Sequence, residues 1–393
     1  MAIVLAKFKE VSPARATAFN ILQQVESGAF SSVLLATAEP KLEPADRALC
    51  HELVLGVLRW QLFLDKIVEH FSKRRIESLD APVRIALRLG LYQLRFLSRV
   101  PASAAVNESV SLVRAARLSS ATAFVNAVLR RATREAEYDP AKDVSDPVEK
   151  LAIETSHPVW LIERWIGEFG AAEAELFARA NNTVPPTAFR VVKNRAAQTE
   201  VLQRLSDARA IVEASQVAED AWRVSGATSL IRELSASGQI YLQDEASQLV
   251  AQAMDVKAGE RVLDLCAAPG GKTTLMADRA RDGARIIAAD RSETRMATVI
   301  ATTRLHQLNS ITPLLLDAVD TLPFPPRSFD KVLVDAPCSG TGTLRRNPEI
   351  RWRLSEGDIA AFAEVDASEA PTHKPQLVFV GEKNEIKSIA QKH

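Results

Sequence analysis

The chain has 393 residues, enough for two or three domains with cores of their own, and its 47% hydrophobic and 25% charged residues are ordinary for a globular protein. Lys+Arg and Asp+Glu both total 49, so the overall charge singles out no partner. Residues 1–140 carry 19 basic against 14 acidic side chains, a mild pointer to an anionic partner that an ordinary solvated face would match equally well.

Three cysteines, Cys50, Cys266 and Cys338, are too few and too scattered for a disulfide framework. The histidines, His51, His157 and His306 among them, stand at no metal-ligand spacing to the cysteines. The opening "MAIVLAKFKE" is too short for a signal peptide or a membrane span, and no later apolar run is long enough. A cytoplasmic protein with reduced thiols is expected, monomeric and with neither metal nor membrane partner.

From Arg15 to about Glu135 the pattern is helical. "ARATAFNILQQVESG" has apolar residues at helical spacing and stops at Gly28. "PADRALCHELVLGVLRWQLFLDKIVEHF" continues the signal. "APVRIALRLGLYQLRFL" carries Pro82 in its first turn. Ile85, Leu89, Tyr92 and Phe96 fall on one of its faces, widened by Leu87, Leu91 and Leu94 as in a buried helix. "SATAFVNAVLRRATRE" closes the block with an arginine-rich last turn. No strand signal occurs, so residues 11–140 are expected to form an all-helical domain. The charged, proline-bearing stretch 136–150 reads as a linker.

After "SHPVWLIERWIGEFG", the stretch "PPTAFRVVKN" reads as a strand, "AAQTEVLQRLSD" as a helix, and "ARAIVEAS" and "AWRVSG" as short strands. Residues 151–235 are therefore expected to be a small α+β module. From 236 to 393 the pattern becomes strand, glycine turn and helix. "GERVLDL", "RIIAAD" and "KVLVDAP" read as strands of a parallel, doubly wound sheet.

The strongest local signal is "VLDLCAAPGGKTT", residues 262–274, where an apolar strand enters a glycine turn that opens a helix. It is not a phosphate-binding P-loop, since Cys266 stands where the first glycine of that motif is needed. What remains is a close backbone approach to a ligand at Pro269, Gly270 and Gly271; a plain strand-to-helix turn also shows paired glycines. The acids shift the balance. Asp290 ends the second strand, where an acid fits ribose hydroxyls, and Asp317 and Asp335 end the next two apolar runs. Ligands of open α/β sheets sit at such strand ends, so a nucleoside-type cofactor is the better reading.

The blocks "DEASQLV" (244–250), "DLCAAPGGKT" (264–273), "DRS" (290–292) and "DAPCSGTG" (335–342), with "AFVNAVLRR" and "SHPVWLIERW" before them, resemble the bacterial small-subunit ribosomal RNA cytosine-5 methyltransferases that carry an N-terminal domain like the antitermination factor NusB. The resemblance covers about residues 11–364. It implies a multidomain fold: an all-α NusB-like RNA-binding domain, the small α+β module, and a Rossmann-like methyltransferase domain. It also implies S-adenosylmethionine as cofactor, small-subunit (16S) ribosomal RNA as substrate, and methylation at carbon 5 of a cytosine. Cys266, Ala267, Ala268, Pro269, Gly270, Gly271 and Lys272 would line the methionine end of the cofactor. Asp290 would hold the ribose, Asp317 would lie by the adenine, and Asp335 near the methyl group and the target base.

Carbon 5 of cytosine is a poor nucleophile until a thiolate adds to carbon 6. In the family a Thr-Cys-Ser cysteine makes that attack, and the Pro-Cys cysteine, matched by Cys338, helps release the product. Here the sequence departs from the pattern. After "DIAAFAEVD" it reads "ASEAPTHKPQLVFVGEKNEIKSIAQKH"; "QLVFV" fits a strand, and no cysteine follows Cys338. The methyltransferase domain is therefore expected to be atypical and C-terminally incomplete after about 364, through a changed or truncated reading frame or a genuine tail. Little or no methyl transfer is expected of the chain as written. An RNA- and cofactor-binding protein without turnover, or a methyltransferase acting on transfer RNA, are the alternatives.

Arg345, Arg346, Arg351 and Arg353 follow the cysteine motif. Beside a base-modifying site the expectation is contact with RNA phosphates, against a solvated loop as the plain alternative. Trp352 fits a stacked base or a core position equally. Cys50, in a helical run, is expected to be a small core residue.

Overall fold

A computed structural model describes residues 11–318, 321–336 and 338–359, together with the backbone of Gln376–Phe379. The chain divides into two compact units: residues 1–184 with 343–356, and residues 185–342 with 357–393.

The first unit is helical. Pro13–Glu26, Pro44–Arg59 and Ala81–Phe96 each open on a proline in the first turn, where its missing N–H costs nothing. With Ser31–Ala38, Gln61–Ser72, Ala102–Ala115 and Thr122–Arg134 they enclose a core that includes Phe19, Leu53, Leu64, Ile67 and Leu112. Ala81–Phe96 runs through the middle. Ile85, Leu87, Leu89, Leu91 and Tyr92 are all buried, while Phe96 at its end is 37% exposed. Arg88 of this helix is buried too, its guanidinium paired with Asp65 at 2.7 and 2.8 Å and with Glu26 at 2.8 Å.

Three more helices, Pro147–Thr155, Val159–Phe169 and Ala171–Asn181, fall within this unit. The first is capped by Asp146, whose carboxylate accepts from the backbone N–H groups of Val148 (2.9 Å) and Glu149 (2.8 Å). Ala152, Leu161, Ile162 and Trp165 bury their apolar faces together with Leu344, from the segment 343–356.

The second unit has two sheets. β1 (Thr187–Val191), β2 (Ile211–Ala214), β3 (Ala221–Ser225) and β4 (Ile240–Leu242) form an antiparallel sheet in the order β2-β3-β1-β4. The helices Gln198–Asp207 and Thr228–Ala236 bury Val201, Leu205, Ile231 and Leu234 in a core shared with Phe189 and Val224. β5 (Arg261–Asp264), β6 (Arg285–Asp290), β7 (Ile311–Leu315), β8 (Lys331–Val334) and β9 (Gln376–Phe379) form a parallel sheet in the order β7-β6-β5-β8-β9. β9 lies within the atypical C-terminal stretch and pairs with β8 from Lys331↔Gln376 to Val334↔Phe379. The rest of the sequence beyond residue 359 lies outside the described residues.

The strand order reverses between β5 and β8. The chain winds outward from β5 through β6 to β7, then returns to lay β8 on the other side of β5. Loops leaving the carboxyl ends of β5 and β8 therefore diverge and leave a crevice, the place where open α/β sheets take their ligands.

Candidate active site

The crevice is a cavity of about 160 Å³ lined by Cys266, Ala267, Ala268, Pro269, Gly271, Lys272 and Asp335, together with Tyr241, Leu242, Gln243, Ser247 and Asp264. One wall is the turn after β5. Gly270 holds φ +99°, a left-handed conformation that a Cβ disfavours, and this bends the chain into the helix Gly271–Arg279. Its N–H donates to Ala267 O at 2.7 Å, and its carbonyl accepts from Thr274 N at 2.9 Å. At Gly271 a Cβ would stand 3.0 Å from Tyr241 Cε1, so the β4 wall comes as close as a glycine permits.

The charges are concentrated at the strand ends. Lys272, on the first turn of the helix, donates to Asp335, which follows β8. Asp264, the last residue of β5, is 1% exposed and accepts from Thr273 Oγ1 at 2.7 Å. Burial pushes its carboxyl up to about 7, with the charge of Asp335 adding to the rise; Thr273 and Lys272 oppose it. A buried acid that titrates near neutrality beside a lysine–aspartate pair marks this cavity as a site for charge chemistry.

The structure gathers most of the expected residues, but not all. Asp290 is buried at the end of β6 and is not in the cavity lining. It supports the turn instead, accepting from the N–H groups of Ala268 (3.3 Å) and Ser292 (2.9 Å). Asp317 is half-buried just past β7, and Cys338 is exposed on the loop after β8. Cys266 is half-buried in the turn, whereas Cys50 is fully buried in the helical unit, its thiol pushed up to about 12.

Among the arginines after Cys338, Arg351 is placed differently from expectation. Arg351 is fully buried, and its guanidinium donates to Ser156 O (2.8 Å), Asn182 Oδ1 (3.1 Å) and Arg59 O (3.2 Å). With no exposed donor it is not positioned to touch a phosphate; it clamps the segment 343–356 onto helix ends. Arg345 is half-buried and donates to the carbonyls of Thr183 and Val184 at 3.2 and 3.0 Å. Arg346 is half-buried. Trp352 donates its indole N–H to Leu58 O at 2.7 Å, and Arg353 is bonded to Val25 O and Ala29 O.

Tyr241, Gln243, Ser247 and Asp264 had carried no assignment in the sequence. Asp264 stood inside the glycine motif, and Tyr241 and Gln243 directly precede "DEASQLV", but no spacing rule reports that β4 runs beside the turn. Among the described residues there is no cluster of side chains able to hold a metal ion, and no helix long and apolar enough to cross a membrane.

Comparison with known proteins places these features. Three family models match the chain: the NusB family over residues 12–134, an RsmF/B-like methyltransferase ferredoxin-like domain over 157–230, and the 16S rRNA methyltransferase RsmB/F family over 251–368. A probable ribosomal RNA small subunit methyltransferase B from Synechocystis is 37% identical over 89% of this chain and 79% of its own length. A ribosomal RNA small subunit methyltransferase B from Pseudomonas putida is 35% identical over 82% and 73%. Among solved structures, that of PH0851 superposes with a TM-score of 0.79 at 26% identity, over 94% of this chain and 86% of the other. NSun6 from Pyrococcus horikoshii, solved with SFG, shares the fold at 16% identity and a TM-score of 0.51, over 57% of this chain and 83% of the other. With these relatives aligned along most of its length, and with the turn, the strand-end acids and the helical front domain in place, the chain belongs to the ribosomal RNA small subunit methyltransferase B family.

Proposed function

We propose that this protein binds S-adenosylmethionine at the β5–β8 crevice and acts at carbon 5 of a cytosine in small-subunit ribosomal RNA. The observation that carries the reading is the cavity itself: a glycine turn packed so closely that a Cβ at Gly271 would stand 3.0 Å from Tyr241 Cε1, faced by the Lys272–Asp335 pair at the point where the strand order reverses. Its volume of about 160 Å³ is below the range of roughly 300–1,000 Å³ usual for whole ligands, which suits the methionine end alone. In this reading Asp290 and Asp317, at the ends of the neighbouring strands, serve the ribose and the adenine. Asp335, paired with Lys272, and the buried Asp264 line the cavity and give it the acidic character that suits a sulfonium.

When bound, S-adenosylmethionine supplies an electrophilic methyl group. The protein's part is to orient the base, with Asp335 near ring nitrogen 3, and to keep Cys338 close enough to assist release. Cys50 is buried with its thiol pushed up to about 12, and Cys266 lines the cofactor turn, so neither is suited to attack carbon 6. Binding without turnover is the second reading, favoured by the lack of any cysteine in residues 339–393. The helical domain of 11–140 and the module of 151–235 serve RNA binding in this scheme, with Arg345 and Arg346 as candidate contacts, in a monomeric cytoplasmic protein.

The test is incorporation of labelled methyl groups into protein-free small-subunit RNA. It compares the 393-residue chain, a version extended by a family-like segment with Thr-Cys-Ser, and Cys338→Ala in both. The extended chain should be active, and its Cys338→Ala variant should accumulate a covalent RNA adduct. Robust incorporation by the 393-residue chain that disappears in Cys338→Ala would make Cys338 the attacking thiol and overturn the assignment. No cofactor binding by the parent would overturn the reading altogether.

A further inference from the structure

A fully buried cation lies behind the cofactor cavity, contributed by β1 of the antiparallel sheet. Arg190 is 1% exposed. Its Nη2 donates to Thr274 Oγ1 at 2.8 Å and its Nε to Gln243 Oε1 at 3.1 Å, and its guanidinium lies over the Tyr241 ring, 5.1 Å from the centroid. Each partner is part of the cavity's frame. Thr274 stands on the first turn of Gly271–Arg279 and passes its own hydroxyl proton to Gly270 O at 2.7 Å. Gln243 and Tyr241 line the cavity, and both crowd Gly271: a Cβ there would lie 3.0 Å from Tyr241 Cε1 and 3.3 Å from Gln243 Nε2.

We infer that Arg190 is a positioning residue for the cofactor: one guanidinium sets the glycine turn, Gln243 and Tyr241 at the spacing that the ligand requires. The inference rests on the cofactor reading of the cavity proposed above. Stability alone does not explain an arginine here. Its nearest carboxylate oxygen, Asp278 Oδ2, is 3.9 Å away, and Nη1 has no hydrogen-bond partner. Desolvation draws the guanidinium down to about 10, the sign of a charge held at a cost. A buried ion in such a setting is often replaced by an apolar residue of similar volume without loss of stability. What an apolar residue does not supply is the pair of directed donors that ties Thr274 to Gln243, a fork that lysine does not reproduce either.

The experiment measures binding of S-adenosylhomocysteine by calorimetry to the full chain and to Arg190→Met, Arg190→Lys, Thr274→Val and the Arg190→Met/Thr274→Val double variant. Thermal unfolding and RNA affinity are followed for each. Arg190→Met should weaken ligand binding by about tenfold or more while RNA affinity is retained, and Arg190→Lys should recover little of the loss. The double variant should lose no more than Arg190→Met alone, because both changes break one linkage. In the ligand-free protein, amide exchange at Gly271–Thr274 should quicken in Arg190→Lys while β6 stays protected. Unchanged ligand affinity in Arg190→Lys or Arg190→Met, or full additivity of the two single losses, overturns the inference and leaves the cofactor reading standing. A parent chain with no affinity for the ligand defeats that reading first.

Discussion

Asp264 makes the stability of the second unit depend on pH in a direction opposite to most carboxylates. Its pKa in the folded chain is about 7, against 3.8 for an ordinary aspartate, because ionising it means leaving a charge in the interior beside Asp335. Below the unfolded value both states hold the proton and the group contributes nothing to the balance. As pH rises from about 4 to about 7, the unfolded chain releases its proton first, and folding loses about 1.4 kcal/mol per unit. Above the folded value the loss is complete, at up to ~4 kcal/mol for a shift of about three units. Asp264→Asn removes the titration while keeping an oxygen for the Thr273 hydroxyl now at 2.7 Å. Urea unfolding of the two proteins, read through the unit that contains β5 at intervals from pH 4 to pH 8, cancels in the difference the titrating groups that do not interact with Asp264. The variant should gain on the parent from about pH 4 to about pH 7 and level off above that. A difference that stays flat from pH 4 to pH 8 refutes the reasoning.

Other consequences can be measured directly. Asp290→Ala should weaken S-adenosylmethionine binding by about 1–3 kcal/mol, as the N–H groups of Ala268 and Ser292 lose their acceptor along with any ribose contact; equal calorimetric affinity would reject the role. RNA affinity should fall with salt at a log–log slope of about −0.7 to −0.9 per phosphate contacted, and an affinity indifferent to salt would exclude phosphate binding. Arg351→Ala should cost about 2 kcal/mol or more in stability, since two buried carbonyls and the partly buried Asn182 Oδ1 lose their donor, yet leave that salt slope where it was; a shallower slope would restore Arg351 as a phosphate contact. Alkylation of the native protein at pH 8 should modify exposed Cys338 first and Cys50, buried and held near 12, last; early labelling at Cys50 would contradict its burial.

Local pattern settled a good deal of this protein in advance. The 3.6-residue period of "APVRIALRLGLYQLRFL" and its neighbours reports helices buried on wide faces, because a helix that hides most of its surface must be apolar around most of its circumference. "RIIAAD" appears as β6 with those same bounds, and the glycines of "APGG" announce a turn that few other residues could make. Acids at strand ends pointed to the carboxyl edge of the parallel sheet, where Asp335 does line the crevice while Asp290 is buried beneath the glycine turn.

Pairing between distant segments was decided only by the fold. No period in the sequence says that β8 returns beside β5, so the meeting of Asp335 with Lys272 and Asp264 depends on strand order. The same holds for Tyr241 and Gln243, which reach the cavity because β4 runs alongside β1, and for Arg190, whose guanidinium finds its partners 53 and 84 residues further along the chain. Arg351 shows the reverse. In sequence it is one of four arginines after Cys338, while in the fold it is sealed among carbonyls at positions 59 and 156. A side chain's chemistry is written in its type, but its partners are set by which backbone atoms the folded chain brings within 3 Å. That is a property of long-range contacts, to which local spacing is blind.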